Sequence, residues 1–178
     1  MTSLIATRFI AACVIIYWPV ASFSHIVLDN KSATAGSAYK AVFQVGHGCS
    51  GAATTAIAVQ IPSGFQDAKP YPKAGWVISM EPHKLVTWTA TSRDAALPNA
   101  HFDEFVLRGK LPEATGPLWF KVLQTCDDGV NKSSNHWAEI PTTGVSTKGL
   151  TSPAALLDVT APHLTGSPVA AMPAEHKN

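Results

Sequence analysis

The sequence predicts an all-β domain, an antiparallel β-sandwich or barrel that ends in a flexible C-terminal tail. Apolar residues alternate with polar or small residues in short segments such as 38–45 and 54–62, and a period of two is typical of strands with one buried face. Pro (13 residues) and Gly (12 residues) bound these segments, as the turns between short strands require. No segment shows a sustained helical period of apolar residues.

The strands are predicted in chain order from this alternation and from the turn residues between them. The predicted segments are 38–45, 54–62, 75–80, 84–90, 102–112, 117–125 and 135–141, and 154–159 is expected to pair as a last strand. From about Thr142 the chain becomes rich in Ala, Pro, Ser, Thr and Gly. Beyond Thr160 it lacks the apolar content that offsets the entropy of ordering, so residues 161–178 are predicted to form a flexible tail.

Residues 1–24 have the pattern of an export signal. Arg8 places a positive charge near the start, and the apolar run 9–21 is shorter than the roughly 20 residues of a membrane span. Ser22 and Ser24 then occupy the −3 and −1 positions of a small-x-small cleavage site. A cut after Ser24 would leave His25 as the first residue of a mature domain, 25–160, and predicts a periplasmic or secreted location.

Two competing interpretations of this segment stay open. Residues 10–13, IAAC, look like a lipoprotein box in which Cys13 would carry the lipid, although only four apolar residues separate Cys13 from Arg8. Alternatively, the apolar run stays uncleaved as an anchor. In both cases the nitrogen of His25 would remain in a peptide bond, so the function of His25 depends on where the chain is cut.

The composition argues against nucleic acid as a partner. Removing residues 1–24 takes away Arg8, one of 13 basic residues, and leaves 12 basic against 12 acidic residues with no basic stripe. No apolar run of the mature chain is long enough to span a membrane. Cys49 and Cys126 then form an even pair in an exported chain, so a disulfide is the default expectation, with free thiols or a thiolate metal site as alternatives.

Two histidines are candidate copper ligands. As an N-terminal residue, His25 would offer its α-amine and its ring Nδ1 together, and such an amine titrates at about pH 7.7–8.0, so a metal displaces an easily lost proton. Cu(II) favours a tetragonal set of nitrogen and oxygen ligands. His47 follows the strand that ends at Val45 and lies between two glycines, where a disulfide at Cys49 would hold the turn still, as a metal ligand requires. A turn histidine without a metal is the alternative.

Other side chains are weaker candidates. Glu104 would supply an oxygen ligand, and Trp137 would shield a copper ion from solvent or donate an electron; a surface carboxylate and a core aromatic are the alternatives. In the tail, His163, Met172 and His176 offer imidazole and thioether groups for a weak second copper site, with a plain linker as the alternative.

Several segments together resemble the YcnI-like family of bacterial exported copper-binding domains. The likeness runs from His25 to about Pro141 and rests on the ordered segments 24–64, 69–76, 102–112, 118–129 and 136–141. The resemblance implies an immunoglobulin-like or cupredoxin-like β-sandwich. It also implies a Cu(II) ion held by a histidine brace at the mature N-terminal His25, with a carboxylate and Trp137 nearby.

The chain departs from the family pattern at the carboxylate. Many relatives carry an acidic residue in the turn after the second strand, whereas this chain has GHGC at 46–49, with His47 in or beside that place. We therefore expect His47 to replace the carboxylate, which would give three nitrogens: the amine and ring of His25 and the ring of His47. Glu104 remains the alternative, as the source of an oxygen ligand.

These residues predict an exported protein that traffics or buffers Cu(II) and has another exported copper protein as acceptor. A polysaccharide monooxygenase would share a three-nitrogen copper site, but no exposed aromatic row suggests a sugar platform, since Trp76, Trp88 and Trp119 fall within strands and are expected in the core. No G-x-S-x-G nucleophile motif is present. We therefore predict no enzymatic activity, and a metal-free adhesion or interaction sandwich is the remaining alternative.

Overall fold

The chain folds into two packed β-sheets, which confirms the predicted all-β sandwich. The structure is a computed structural model that describes residues 25–82 and 84–162, and no helix occurs in these two ranges. The strands are β1 Val27–Leu28, β2 Ser32–Thr34, β3 Ala38–Val45, β4 Ala53–Gln60, β5 Gln66–Pro70, β6 Trp76–Glu81, β7 Leu85–Ala90, β8 Asp103–Lys110, β9 Gly116–Asp127, β10 Lys132–Trp137 and β11 Ala155–Thr160. Within the same ranges, nothing resembles a helix long and apolar enough to cross a membrane.

Some sequence predictions fall on residues that the structure does not describe. The predicted signal, residues 1–24, and the tail residues His163, Met172 and His176 lie outside the described ranges. These predictions therefore stay predictions. The described domain begins at His25, and its last strand ends at Thr160.

The smaller sheet has the strand order β1-β3-β8-β5, and the larger has the order β2-β11-β9-β4-β7-β6. The long strand β9 organises the larger sheet. β4 pairs along one edge of β9, while β11 and β10 pair with its first and second halves. All pairs are antiparallel except that of β2 with β11, which is parallel.

The core fills the space between the two sheets. The predicted inward faces are confirmed at Ala41, Phe43 and Val45 of β3, whose exposed fractions are at most 1%. Aromatic rings link the two layers edge to face: Phe120 of the larger sheet lies 5.5 Å from Phe43, between ring centroids. Such contacts add to the stabilisation from burial alone.

Two of the three strand tryptophans lie in the core as expected, and one does not. Trp76 and Trp88 are 9% and 0% exposed. Trp119 is only half-buried, because Leu118 and Phe120 on either side of it point inward and the alternation of β9 turns Trp119 to the outer face. The expectation that Trp119 is a core residue was therefore wrong.

The predicted disulfide is present. Cys49, in the loop after β3, is bonded to Cys126 near the end of β9, with an S–S distance of 2.08 Å across 77 positions of sequence. Both residues are at most 2% exposed. Closing a loop of this length in the unfolded chain stabilises the fold by about 4–5 kcal/mol in the chain-entropy model.

Candidate metal centre

His25 and Trp137 are brought together at one end of the sandwich. The two rings meet edge to face, with centroids 5.8 Å apart. Ile26 and Leu28, which follow His25, are at most 2% exposed and anchor this segment in the core. Trp137 ends β10 opposite Val122 of β9 and is 4% exposed. Trp137 is therefore both a buried core residue and a direct neighbour of His25.

The ring of His25 is reachable from outside the core. His25 is half-buried and lines a cavity of about 140 Å³. An apolar part of its lining comes from Pro153 and Ala154 and from Ala155 and Leu156 at the start of β11. An incoming ion or molecule can therefore approach this ring without unfolding the sheet.

His47 lies in the loop after β3 with its two ring nitrogens in different environments. Nδ1 lies 2.5 Å from the carbonyl oxygen of Gly48, and since that oxygen only accepts, Nδ1 carries the proton and donates it. Nε2 then carries the lone pair, yet it is buried and has no hydrogen-bond partner among the described residues. Leaving a buried polar atom without a hydrogen bond destabilises a fold by about 1–3 kcal/mol. A ligand that binds to this nitrogen would remove that penalty.

The backbone around His47 is held tightly. A Cβ atom at Gly48 would lie 1.7 Å from the carbonyl oxygen of Ala52, so no larger residue fits there. The N–H of Gly48 donates to Oδ1 of Asn99 at 3.1 Å. Together with the disulfide at Cys49, these contacts fix the turn that carries the imidazole.

Gln124 connects His47 to Trp137 and was missed in the sequence. It lies on the inward face of β9 and is 1% exposed. Its Nε2 donates to the carbonyl oxygen of His47 and to Oγ1 of Thr54, both at 2.8 Å, and its Oε1 accepts from the indole Nε1 of Trp137 at 3.1 Å. The sequence pattern that could have identified Gln124 is the alternation of β9, which places it on the inward face between Val122 and Cys126.

The orientation of the Gln124 amide follows from its partners. An indole N–H only donates and a backbone carbonyl only accepts, so Oε1 must face Trp137 and Nε2 must face His47. The residue at 124 therefore has to accept and donate at the same time. Reversing the amide would place donor against donor at Trp137 and acceptor against acceptor at His47.

The strand register also brings His25 towards His47. β1 pairs with β3 so that Val27 lies opposite Gln44 and Leu28 opposite Phe43. His25 lies two residues before Val27, and Gly46 lies two residues after Gln44, so His25 and His47 adjoin the same end of this strand pair. Both are tied to Trp137, His25 by ring contact and His47 through Gln124.

Glu104 lies near the start of β8, opposite Gln44 of β3. It is exposed on the outer face of β8, because Phe105 next to it is buried at the inner face. Its carboxylate makes no hydrogen bond or ion pair within the described parts of the chain, while its backbone carbonyl accepts from Nζ of Lys73 at 3.2 Å.

The side chains alone do not form a dense metal cage. Residues 25–82 and 84–162 contain no cluster of three or more His, Cys, Asp or Glu placed to hold an ion. A brace does not need one, since its first residue gives both an amine and an imidazole. In the uncut chain, however, the nitrogen of His25 is an amide bonded to Ser24, so that ligand exists only after cleavage. His136, next to Trp137 in β10, is exposed and points to the outer face.

Comparison with solved structures shows the same fold. The chain is similar to an uncharacterized protein from Nocardia farcinica whose crystal structure has an immunoglobulin-like fold, with a TM-score of 0.64 and 26% identity over 77% of this chain and 99% of that one. A type I cohesin from Pseudobacteroides cellulosolvens gives a TM-score of 0.46 at 11% identity, over 86% and 97% of the two chains. The cohesin CaCohA2 from Clostridium acetobutylicum gives 0.43 at 12% identity, over 76% and 91%.

Sequence comparison places the domain in a family. A search of curated protein sequences gave no significant match. A family model described as a domain of unknown function, DUF1775, matches residues 25–86 and 81–159. These segments begin at His25 and reach the last strand, so they cover all of the sandwich that contains the candidate metal centre. The chain belongs to the DUF1775 family.

Proposed function

We propose that the mature protein begins at His25, is periplasmic or secreted, and binds Cu(II) there to buffer copper or pass it to another exported copper protein. This is the function of the YcnI-like family that the sequence resembles. The protein carries the ion as cargo in this proposal and catalyses no reaction. Its three nitrogen ligands are the amine and Nδ1 of His25 and Nε2 of His47.

The observation that carries the proposal is the environment of His47. Metal-bound histidines usually donate their second ring N–H to a carboxylate or a backbone carbonyl, which fixes the tautomer and the ring direction. His47 has this arrangement at Nδ1, through the carbonyl of Gly48, and its Nε2 is buried without a partner. Imidazole nitrogen is a suitable ligand for copper.

Two further observations support the role of His25. The match to the family begins at His25, which agrees with a domain that starts there once residues 1–24 are removed. The ring of His25 packs against Trp137, whose indole is fixed by Gln124, so the chelating residue would rest against a rigid apolar wall. A fixed wall on one side and an open cavity on the other suit an ion that must be released to an acceptor.

Glu104 has no part in the ligand set that we propose. Glu104 is exposed on the outer face of β8, whereas Trp137, the ring that contacts His25, is 4% exposed. The substitution Glu104→Gln should therefore leave copper binding unchanged.

The test uses the secreted, processed protein with one equivalent of Cu(II). The first measurement is the N-terminal sequence, which should begin at His25. Electron paramagnetic resonance should then show a tetragonal, nitrogen-rich signal. One extra Ala before His25 should abolish that signal, and His47→Ala should remove one nitrogen coupling and weaken binding.

A matched control separates specific from general effects. His136→Ala removes an exposed imidazole next to Trp137 and should leave the spectrum unchanged. An unchanged spectrum after insertion of the extra Ala would disprove the N-terminal site. A loss of signal with His136→Ala equal to that with His47→Ala would disprove the assignment of His47.

A further inference from the structure

Three basic side chains stand in one row across the smaller sheet. Arg108 of β8 lies opposite Lys40 of β3 on one side and opposite Lys69 of β5 on the other. Paired residues on neighbouring strands point to the same face, with about 5 Å between strands. All three side chains are exposed on the outer face of the sheet. We call Lys40, Arg108 and Lys69 the cationic row.

No side chain of the cationic row forms an ion pair with another described residue. Within residues 25–82 and 84–162, the ion pairs are Lys73 with Asp103 and Lys110 with Glu113, and neither includes a residue of the row. Like charges placed directly opposite across strands destabilise a sheet. This excess of positive charge is local. The whole mature chain has 12 basic and 12 acidic residues once residues 1–24 are removed.

An open groove of about 390 Å³ lies at the row. Lys69 and Arg108 line it, together with Lys110, and Asp67 is the acidic residue among its lining side chains. Asp67 has a positive φ of 51°, at the register shift where β5 leaves its regular pairing with β8. The Lys110–Glu113 ion pair adds no net charge. The three basic residues of the row outnumber Asp67, so the groove and the row together have a net positive charge.

An exposed aromatic ring borders the row. Nζ of Lys40 lies 5.6 Å from the centroid of the Tyr71 ring, which is 42% exposed. The backbone N–H of Tyr71 donates to the carbonyl oxygen of Val106, so this residue follows β5 alongside β8. Tyr71 thereby holds one end of the row in place and leaves the ammonium group of Lys40 at the surface.

We propose that the groove at the cationic row binds a phosphate group. A guanidinium matches a phosphate with two parallel hydrogen bonds, and lysine ammonium groups add point charges on either side. Arg108 and Lys69 line the groove together with Lys110, and Lys40 lies on the other side of Arg108 with its ammonium beside Tyr71. The phosphate belongs either to a free phosphate or to a phospholipid headgroup, and the two sources share the same chemistry. The site is independent of copper, since β3 runs five residues, about 17 Å, from Lys40 to its end at Val45, and His47 lies beyond that end.

The test is a phosphate titration of the processed, ¹⁵N-labelled chain, followed by NMR against a chloride titration of equal ionic strength. Inorganic phosphate should cause saturable shifts at the amides of residues 40, 69 and 108–110. Arg108→Gln should weaken binding about tenfold, as expected for the loss of charge-assisted hydrogen bonds. Lys132→Gln removes the same charge from an exposed position on β10 and should leave the affinity unchanged. Circular dichroism melting confirms that each variant is folded.

A second arm identifies the source of the phosphate. Flotation with phosphatidylcholine vesicles, with and without phosphatidylglycerol, tests a lipid headgroup. Binding to the anionic vesicles that Arg108→Gln abolishes and Lys132→Gln retains supports a lipid source, while saturable binding of inorganic phosphate without flotation supports a free phosphate. Shifts that spread over all surface lysines without saturation, equal losses in the two variants, or no binding in either arm would overturn the proposal.

Discussion

Replacing Gln124 with Glu is the sharpest perturbation of the buried network that joins His47 to Trp137. The two side chains have the same shape, but an ionised carboxylate cannot donate to the carbonyl oxygen of His47. Only the protonated acid accepts from the indole of Trp137 and donates to His47 at once. At 1% exposure the position offers little water to the charged form, so burial raises the pKa of the introduced carboxyl group.

The loss of folding stability caused by Gln124→Glu should increase as pH rises. A carboxyl group whose folded pKa lies above its unfolded value stabilises fully below the unfolded pKa, and this stability is lost as pH rises. Keeping a glutamic acid protonated above its usual pKa of about 4.3 costs about 1.4 kcal/mol per pH unit. The Gln124→Glu variant should therefore lose about 1 kcal/mol at pH 5 and up to about 5 kcal/mol at pH 8.

Urea unfolding at both pH values measures this difference, with Gln66→Glu as the matched control. Gln66 lies exposed on β5, so the same chemical change there should alter stability by less than about 0.5 kcal/mol at either pH. In NMR spectra, the indole N–H resonance of Trp137 should shift at pH 8 and return towards its parent position at pH 5. Equal stability of parent and variant at pH 8, with an unmoved indole resonance, would refute the network as we describe it, whether or not the protein binds copper.

Three further predictions concern the stability of the sandwich. Gly48→Ala should destabilise the protein by at least about 2 kcal/mol in urea unfolding, since the added Cβ has no room beside the carbonyl of Ala52, and stability within 0.5 kcal/mol of the parent would contradict this. Removing the Cys49–Cys126 disulfide by double substitution with Ala should cost about 4–5 kcal/mol, and an unchanged melting temperature would rule out that constraint. Burial raises the pKa of Tyr39 to about 12, with Asp29 adding to the shift, so the free energy of unfolding should fall between pH 10 and pH 12. Because Asn30, whose carbonyl accepts from the Tyr39 hydroxyl, is exposed, solvent screening limits this fall to about 1–2 kcal/mol, and Tyr39→Phe should lack it.

The alternation of apolar residues was enough to predict the fold class and most strands. It set Phe43, Val45 and Ile57 inward correctly because a strand has only two faces, and one of them must be buried. The short strands β1, β2 and β5 were not predicted. β1 and β2 span two and three residues, too short to show a period, and β5 combines a register shift with Lys69 and Asp67 at its exposed edge.

The pairing of strands could not be read from the same pattern. Lys40, Lys69 and Arg108 are far apart in sequence and form no basic run, so the cationic row exists only because β3 and β5 flank β8 in one particular register. For the same reason, the hydrogen bond from Gln124 to His47, 77 positions away, could not be predicted from the sequence. A polar residue at an inward strand position was the one visible sign, and it indicates a buried partner without saying which.

The positions of the disulfide and of Gln124 suggest why the candidate centre is rigid. His47 precedes Cys49 by two residues and Gln124 precedes Cys126 by two, so a covalent bond and a hydrogen bond join the same two segments side by side. Thr54 lies between them, as its Oγ1 accepts from Gln124 and lies 3.8 Å from the sulfur of Cys126. Such a disulfide persists in an oxidising compartment, which is where export would deliver the chain. Cleavage would then supply the amine of His25 in the same place where oxidation fixes the loop of His47. Under the proposed function, the metal centre would be completed only after the protein has left the cytoplasm.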